Sequence, residues 1–296
     1  MKILLLGKNG QVGWELQRSL GPLGELVALD RHSTGACGDL SNPTGLRATV
    51  LALRPDVIVN AAAYTAVDRA QSEPDLAHAI NAASPGVLAQ AAQAVGALLV
   101  HYSTDYVFDG SGNTPWREDA ATGPLSVYGQ TKLEGEQLIA ASGARHLILR
   151  TSWVYAARGG NFGKTMLRLA GERERLTVID DQFGAPTGAD LIADVSAHAI
   201  RQVQRDPACG GGYHLAAAGE TTWNGYARFV IDTARALQPE RALKVLEVAP
   251  VPTSAFPTPA QRPLNSRLDT TRLRQTFGLH LPDWQSGVRR MLAEIL

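Results

Sequence analysis

Three glycines near the N-terminus constrain the fold of this chain more than any other feature. Gly7, Gly10 and Gly13 follow an apolar run, Ile3–Leu6, and precede a helical pattern. Where a buried strand turns into a helix, one glycine permits the tight bend and one lets the backbone approach a bound group. The third lets the helix pack closely on the strand. Because the amides at the start of the helix attract negative charge, the segment predicts a strand–turn–helix unit that binds a dinucleotide.

Short apolar runs alternate with longer helical patterns in the N-terminal half. The runs are continuously apolar, which is typical of parallel strands covered by helices on both faces. The predicted strands are Ile3–Leu6, Leu26–Leu29, Val57–Asn60, Leu98–Tyr102, His146–Arg150 and Tyr213–Ala216. The predicted helices are Gln11–Leu20, Gly45–Leu53, Asp75–Val95, Val127–Ala140, Asn161–Ala170, Gly188–Val203, Thr222–Leu237 and Trp284–Leu296. This repetition predicts an α/β fold with a Rossmann-type, doubly wound parallel sheet.

The pattern loosens after Arg150, which indicates a second unit. Residues Val248–Pro263 contain five prolines among small side chains, so we expect an extended loop there. We predict a dinucleotide-binding domain over residues 1–153, to which residues 188–216 return. Residues 154–187 and 217–296 are then expected to form a smaller C-terminal α/β lobe that binds the substrate.

Charge and cysteine content limit the classes of partner. The 28 basic and 28 acidic residues give a formal net charge of zero. Proteins that bind nucleic acids or membrane surfaces usually carry a basic excess, so we expect neither partner. No apolar run approaches the ~20 residues needed to span a bilayer, and the N-terminal run is too short for a signal peptide. Cys37 and Cys209 indicate neither a disulfide framework nor a zinc site. We therefore expect a cytoplasmic protein.

A carboxylate at the end of the second predicted strand extends the dinucleotide prediction. Asp30 lies at the spacing after the glycines where a carboxylate hydrogen-bonds a ribose hydroxyl. A carboxylate repels a 2′-phosphate and so favours NADH, whereas the neighbouring Arg31 is able to receive that phosphate. These two residues leave the choice between NADH and NADPH open. The loop Gly38–Ser41 either borders an adenine or is a plain helix-capping turn.

Tyr128 and Lys132 lie four residues apart in a predicted helix and therefore share a face. Free tyrosine titrates near pH ~10, and a nearby cation lowers the pKa of the phenol toward neutrality. Thr104 follows the fourth strand, and the reactive site of an open α/β sheet lies beyond the carboxyl ends of its strands. We predict that Thr104 and Tyr128 polarise a carbonyl group and supply a proton as a hydride arrives. The alternative for Ser103–Asp105 is a strand-end turn whose side chains cap the backbone.

Together these motifs resemble the extended short-chain dehydrogenase/reductase family over essentially the whole chain. The glycine loop and the Tyr128-x-x-x-Lys132 pair are typical of the whole superfamily. Other segments resemble more specifically the reductases of nucleotide-linked sugars. These segments are Arg54–Ala63, Ser103–Phe108, Arg150–Tyr155, Asp181–Thr187, and Arg262–Pro263 with Ser266.

The resemblance implies NADPH as the cofactor, with NADH also accepted, and a dTDP-linked 4-keto-6-deoxy sugar as the substrate. It implies reduction of the C4 ketone, in the synthesis of carbohydrate for lipopolysaccharide and its O-antigen. Tyr128 would donate the proton, Lys132 would be its partner and anchor the cofactor, and Thr104 would tune the tyrosine. The implied cofactor contacts are Gly7, Gly10, Gln11, Val12, Gly13, Asp30, Asp39, Leu40, Ala61, Ala63, Tyr64, Thr65, Tyr128 and Lys132. The implied substrate contacts are Thr104, Asp105, Trp153 and Arg262.

Arg262 is expected to contact the substrate diphosphate, since a guanidinium matches phosphate geometry; a surface arginine is the alternative.

The resemblance also implies magnesium and a homodimer, with Glu15, Asp190 and Glu294 as candidate carboxylates and separate surface ion pairs as the alternative. Two positions depart from related sequences, namely Gln71, where glutamate is common, and the aromatic Tyr64.

Two alternative functions stay open. One is a sugar-nucleotide epimerase or epimerase–reductase of the same family, and the other is a non-catalytic regulatory subunit on this fold.

Overall fold

Short apolar runs become the strands of one parallel sheet in the computed structural model, which describes residues 1–296. The strands of the chain are β1 (Lys2–Leu6), β2 (Glu25–Leu29), β3 (Val57–Asn60), β4 (Leu98–Thr104), β5 (His146–Thr151), β6 (Val154–Tyr155), β7 (Arg175–Ile179), β8 (Phe183–Gly184), β9 (Thr187–Gly188), β10 (Gly211–His214), β11 (Thr221–Thr222) and β12 (Glu247–Val251). Six of them form the central sheet in the order β10-β5-β4-β3-β1-β2, and every pair in it is parallel. The remaining strands form two-stranded sheets, β6 with β9, β7 with β12 and β8 with β11.

All six predicted strands of the central sheet form. β4 is two residues longer than predicted because Ser103 and Thr104 continue to pair with Arg150 and Thr151 of β5. This extension carries Thr104 to the edge where the reactive site was predicted.

The strand order reverses between β1 and β3, and this reversal places the ligand crevice. From β1 the chain runs to β2 on one side and then crosses to β3 on the other, so the switch point of the strand order lies between β1 and β3. Gly7 stands there with φ of 87°, a backbone conformation that favours glycine. A Cβ atom at Gly7 would lie 2.8 Å from the amide nitrogen of Ala62, so the close approach of the two loops also requires glycine.

Helices cover both faces of the sheet. The helices of the chain are α1 (Gln11–Leu20), α2 (Pro43–Leu53), α3 (Val67–Ala70), α4 (Pro74–His78), α5 (Ser84–Val95), α6 (Val127–Ala141), α7 (Phe162–Glu172), α8 (Ala189–Arg205), α9 (Trp223–Leu237), α10 (Thr271–Phe277) and α11 (Trp284–Ile295). The segment predicted as one helix over Asp75–Val95 is α4 and α5 joined by a π-helical turn, Ala79–Ala83. Such a widened turn often marks a functional site.

Successive residues of each central strand enter opposite cores. In β1, Ile3 and Leu5 pack in one core with residues of α1, α8 and α10, whereas Leu4 and Leu6 pack in another with residues of α2, α5 and α6. Continuously apolar strands follow from this two-sided burial. The predicted Rossmann-type, doubly wound sheet is therefore confirmed.

A smaller set of helices and short strands packs beyond the sheet. Its cores contain residues of α7, α9, α11 and β7, with Tyr226 at their centre. The expectation of an extended loop over Val248–Pro263 is wrong at its start, because β12 pairs in parallel with β7. Pro250 is tolerated there because a two-stranded sheet leaves one side of each strand free of pairing. None of the helices is both long enough and apolar enough to span a membrane.

Candidate active site

One cavity of about 980 Å³ runs along the carboxyl ends of the central strands. Its lining includes Gly7 after β1, Asp30 after β2, Ala61 after β3, Thr104 at the end of β4 and Ser152 after β5. A doubly wound sheet offers its ligand site at this edge, beside the switch point of the strand order.

The glycine loop lines the cavity beyond the carboxyl end of β1. Gly7, Gly10, Gln11 and Val12 line it. Gly10 caps α1 in an extended conformation and no side chain caps the helix, so the first amides of α1 are free to meet a phosphate group. Gly13 does not line the cavity; a Cβ atom there would lie 2.0 Å from the carbonyl oxygen of Gly7. The third glycine therefore serves helix–strand packing.

Acidic and basic groups meet where a ribose would lie. The Asp30 carboxylate accepts the His32 amide at 2.9 Å and the Ser33 hydroxyl at 3.2 Å. The His32 amide bond is the largest cause of the lowered pKa of Asp30. Lys8 Nζ lies 3.9 Å from the same carboxylate, and Arg31 and His32 line the cavity. The site thus offers a carboxylate to a ribose hydroxyl and cations to a 2′-phosphate.

The Gly38–Ser41 loop lies at the cavity, whereas the cap of α2 is the next residue, Asn42, which accepts the Gly45 amide at 2.9 Å. Asp39 and Leu40 line the cavity, as predicted for cofactor contacts. The Asp39 carboxylate also accepts the Ser41 amide at 2.9 Å, which shapes the loop before α2.

The loop after β3 supplies the opposite wall. The residues from it that line the cavity include all four predicted cofactor contacts, Ala61, Ala63, Tyr64 and Thr65. Asn81 of the π-helical turn holds this loop, since its side chain accepts the Tyr64 amide at 2.9 Å and donates to the Tyr64 carbonyl at 3.0 Å. The unusual Tyr64 hydroxyl donates to Glu73, which also pairs with Arg69 at 2.6 Å.

Thr104, Tyr128 and Lys132 are brought together in the middle of the cavity wall. Ser126 caps α6 by accepting the Gly129 amide at 3.2 Å, so the helix begins just before Tyr128. A Cβ atom at Gly129 would lie 2.2 Å from the Tyr106 carbonyl oxygen, so this glycine lets α6 approach the end of β4.

Gln71 has a local structural role. Its side-chain oxygen accepts the amide of Val127, the first residue of α6, at 2.8 Å. The departure from glutamate at this position therefore keeps a hydrogen-bond acceptor at the start of the helix that carries Tyr128 and Lys132.

The phenol of Tyr128 keeps its proton at neutral pH. Burial raises the pKa of Tyr128 to about 12, the Thr104 hydroxyl lowers it, and the Asp105 carboxylate raises it further. The expectation that Lys132 lowers this pKa is wrong, because burial raises it and Lys132 does not oppose the shift. Lys132 Nζ instead donates to the Tyr102 carbonyl at 2.6 Å and lies 3.0 Å from His101 Nε2. Burial lowers the pKa of Lys132 to about 8. The phenol of Tyr128 is therefore protonated at neutral pH, which is the form that can donate a proton.

Asp105 lines the cavity with one carboxylate oxygen buried and unpartnered. Burial raises the pKa of Asp105 from 3.8 to about 7. Hydrogen bonds from Ser266 and Thr104 oppose this shift, because they favour the charged carboxylate. Because the folded protein binds this proton more tightly than the unfolded chain, the stability that Asp105 contributes is fully present below pH ~4. That contribution is lost as the pH rises through about 7.

Asp105→Asn is therefore expected to match the unsubstituted protein near pH ~4 and to exceed it in free energy of unfolding above pH 7. The difference is at most about 4 kcal/mol, at about 1.4 kcal/mol per pKa unit. Urea denaturation at several pH values measures it, and a difference that does not vary with pH would contradict the assignment.

Two stacked tryptophans form the far end of the cavity. The rings of Trp153 and Trp223 lie 3.6 Å apart and both line the cavity. Trp153 has φ of 48°, a conformation uncommon outside glycine. The segment 181–187, which resembles the family, lies behind them rather than in the cavity lining. Gly184 lies against the Trp153 indole, and Gln182 accepts the Trp223 N–H at 3.0 Å. Trp223 was not among the predicted site residues, because no local motif marks it.

Arg262 does not line the cavity, so the predicted diphosphate contact gains no support from this structure. Its guanidinium donates to Asp68 of α3 at 2.7 Å and also to Thr258 at 2.6 Å. In this structure the arginine ties the proline-rich loop to α3, which favours the structural alternative.

The three candidate metal carboxylates do not converge. Glu15 lies 3.5 Å from Arg18, whereas Asp190 and Glu294 lie 3.5 Å and 3.3 Å from Arg290. No group of three or more His, Cys, Asp or Glu side chains in the chain is arranged to hold a metal ion. The arrangement therefore matches the alternative of separate ion pairs and does not fit a magnesium site within one chain.

The glycine loop on a doubly wound sheet, with a tyrosine and a lysine on α6 and a threonine at the end of β4, defines an oxidoreductase of the extended short-chain dehydrogenase/reductase class. Comparison with known proteins narrows the class. The family model described as the RmlD substrate binding domain matches residues 1–296. A dTDP-4-dehydrorhamnose reductase of Shigella flexneri is 61% identical over 295 residues, which cover 100% of this chain and 98% of that protein. The chain belongs to this dTDP-4-dehydrorhamnose reductase family.

Solved structures agree in fold over the same length. A dTDP-4-dehydrorhamnose reductase from Clostridium acetobutylicum has a TM-score of 0.89 at 35% identity, covering 100% of this chain and 99% of that one. The same enzyme from Bacillus anthracis, solved in complex with NADP, has a TM-score of 0.87 at 35% identity, covering 99% of each chain.

Proposed function

We propose that this protein reduces the C4 ketone of dTDP-4-dehydro-β-L-rhamnose to give dTDP-β-L-rhamnose with NADPH, the last step of dTDP-L-rhamnose synthesis. The observation that carries the proposal is the convergence of Thr104, Tyr128 and Lys132 on one cavity that the glycine loop also lines. The shared family and the names of the relatives support the choice of substrate.

Reduction of a ketone needs a hydride and a proton, and the bound reduced nicotinamide supplies the hydride. Tyr128 holds its proton at neutral pH, because its pKa is about 12, and donates it to the ketone oxygen. Thr104 faces the phenol and lowers its pKa, which eases this transfer. We propose that Lys132, four residues along the same helix, holds the cofactor ribose and that its ammonium stabilises the phenolate that forms.

NADPH is the cofactor that we propose, with NADH also accepted. The cations near Asp30 support NADPH, because Arg31 and His32 line the cavity and Lys8 lies beside the carboxylate. The NADP complex of the Bacillus anthracis relative supports the same choice. Asp30 itself remains available to the unphosphorylated ribose of NADH.

Absorbance at the nicotinamide band tests the proposal. With the dTDP-linked 4-keto-6-deoxy sugar, one NADPH should be oxidised for each sugar reduced. GDP- and UDP-linked 4-keto sugars and NADH, assayed in parallel, measure the selectivity. Interconversion of sugars without net cofactor consumption would identify an epimerase, and no oxidation with any of these sugars would favour a regulatory subunit.

Gly184→Ala is expected to weaken sugar-nucleotide binding while leaving NADPH affinity unchanged. A Cβ atom there would lie 2.8 Å from the Trp153 indole. The indole cannot move away easily, because its other neighbour is the stacked ring of Trp223. Overpacking of this kind costs about 1–3 kcal/mol, so the KM for the sugar nucleotide should rise roughly tenfold or more. Gly171→Ala is the control, because nothing lies within 4 Å of its added methyl group. An unchanged KM in Gly184→Ala would show that the Trp153–Trp223 pair does not line the substrate-binding site.

We further propose that two lobes divide the work, with residues 1–153 and 188–216 holding the cofactor and the remainder covering the substrate. The core of the sheet supports one refinement, since Leu273 and Leu281 pack within it and residues 271–281 thus belong with the first lobe.

Homodimer formation stays a proposal that rests on the family resemblance. A cytoplasmic location rests on that resemblance and on two cysteines without a disulfide. No metal role is assigned to Glu15, Asp190 and Glu294, because arginines engage all three.

A further inference from the structure

Three fully buried polar side chains form a continuous row behind the cavity. Asn60 ends β3, His101 lies in β4 and Lys132 lies in α6, and each is at most 2% exposed. Asn60 Nδ2 lies 3.1 Å from His101 Nδ1, and His101 Nε2 lies 3.0 Å from Lys132 Nζ. Of the three, only Lys132 lines the cavity. Asn60 and His101 therefore act on the reaction only through neighbouring residues, of which Lys132 is one.

The Asn60 amide fixes which imidazole nitrogen of His101 carries the proton. Its Oδ1 accepts the backbone amide of Ala62 at 3.2 Å, so its Nδ2 faces Nδ1 of His101 and donates to it. A neutral imidazole has one N–H, which must then be on Nε2 and point at Nζ of Lys132. Nζ accepts this hydrogen bond only as a neutral amine, because an ammonium has no lone pair.

An ammonium at Lys132 requires the opposite arrangement. Nε2 of His101 must then accept, Nδ1 must carry the proton, and the Asn60 amide must turn over so that its Oδ1 receives that proton. When the Asn60 amide turns over, its Oδ1 no longer accepts the backbone amide of Ala62. A buried N–H group without an acceptor is unfavourable. Ala62 lines the cavity, so the charge of Lys132 is linked to the loop that borders the cofactor site.

Burial and neighbouring groups on β4, β5 and α6 also act on the charge of Lys132. From β4, the Tyr102 carbonyl accepts from Nζ at 2.6 Å. On α6, Glu136 raises the pKa of Lys132, but Arg150 of β5 engages that carboxylate at 2.6 Å. Tyr128, on the same helix, is protonated. Burial lowers the pKa of Lys132 to about 8 and keeps the pKa of His101 well below 6.5, so the imidazole stays neutral.

We propose that His101 is a positioning residue that couples the charge of Lys132 to the orientation of the Asn60 amide. The Nε2–H tautomer stabilises the amine form of Lys132, and the Nδ1–H tautomer, with the amide turned over, stabilises the ammonium form. The consequence for turnover rests on the proposed function, in which Lys132 is the partner of Tyr128. The coupling itself does not depend on any substrate.

Nitrogen NMR of the protein labelled with ¹⁵N-histidine tests the coupling without substrate or cofactor. His101→Gln and His101→Phe identify the His101 signals by their loss. The His101 ring should stay neutral, with its proton on Nε2 above the pKa of Lys132 and on Nδ1 below it, the change centred near pH 8. Lys132→Met should abolish the pH dependence. One tautomer throughout the titration, or an unchanged titration in Lys132→Met, would overturn the proposal even if the protein proves to be a reductase.

Kinetics test the consequence. His101→Phe removes the donor that stabilises the amine, so the midpoint of the kcat–pH profile assigned to Lys132 should move to higher pH. His101→Gln, whose amide keeps a nitrogen near Nζ, should move it less. A structural role alone would lower the stability of both variants and leave the midpoint in place, which would count against the coupling. The NMR titration of the unsubstituted protein keeps the test decisive if His101→Phe does not fold.

Discussion

Tyr128→Phe is expected to lower turnover by about 100- to 10,000-fold, the range that a positioned proton donor contributes. The phenylalanine ring keeps the packing against Tyr106, whose ring centroid lies 5.6 Å away, and removes only the hydroxyl. NADPH affinity should therefore stay close to that of the unsubstituted protein, because the glycine loop and the walls after β2 and β3 are untouched.

Steady-state oxidation of NADPH measures turnover in this variant, and fluorescence titration of NADPH measures the affinity. Tyr213→Phe is the matched control, since it removes one neutral hydrogen bond, from the Tyr213 hydroxyl to the Cys209 carbonyl at 2.8 Å, far from the cavity lining. Turnover of Tyr128→Phe at the level of this control would remove the tyrosine from the chemistry.

Gly13→Ala is expected to weaken NADPH binding roughly tenfold to hundredfold. Its Cβ atom would lie 2.0 Å from the carbonyl oxygen and 2.7 Å from the carbonyl carbon of Gly7. These are backbone atoms, so α1 has to move away from β1 and takes the amides of its first turn with it. Overpacking costs of about 1–3 kcal/mol correspond to that range of affinity.

Calorimetric titration with NADPH measures the loss, and thermal unfolding shows whether the variant is folded. Gly21→Ala, at the other end of the same helix, has nothing within 4 Å of its added methyl group and should bind as the unsubstituted protein does. Equal affinity in the two variants would show that the third glycine does not position the phosphate loop.

Local patterns were sufficient to predict the sheet and the centre of the site. Two-sided burial makes Leu4–Leu6 apolar without interruption, and α1 spans Gln11–Leu20 as predicted. The four-residue spacing of Tyr128 and Lys132 needs only a helix to bring them to one face, and α6 provides it.

Contacts between distant segments were beyond local reasoning. Trp223 reaches Trp153 only through the folding of the second lobe, and Asp68 engages Arg262 across 194 positions of the chain. The pKa of Tyr128 was misjudged because the direction in which Nζ of Lys132 points depends on Tyr102 and His101, not on the spacing of the pair.

Transfer of deuterium from NADPH labelled at the reactive C4 position of the nicotinamide tests the central claim most directly. Incubation with the dTDP-linked 4-keto-6-deoxy sugar, followed by mass spectrometry and proton NMR of the product, locates the label. The proposed reduction predicts one deuterium at C4 of the sugar for each cofactor oxidised. Deuterium at another carbon, or a sugar product without label, would contradict it.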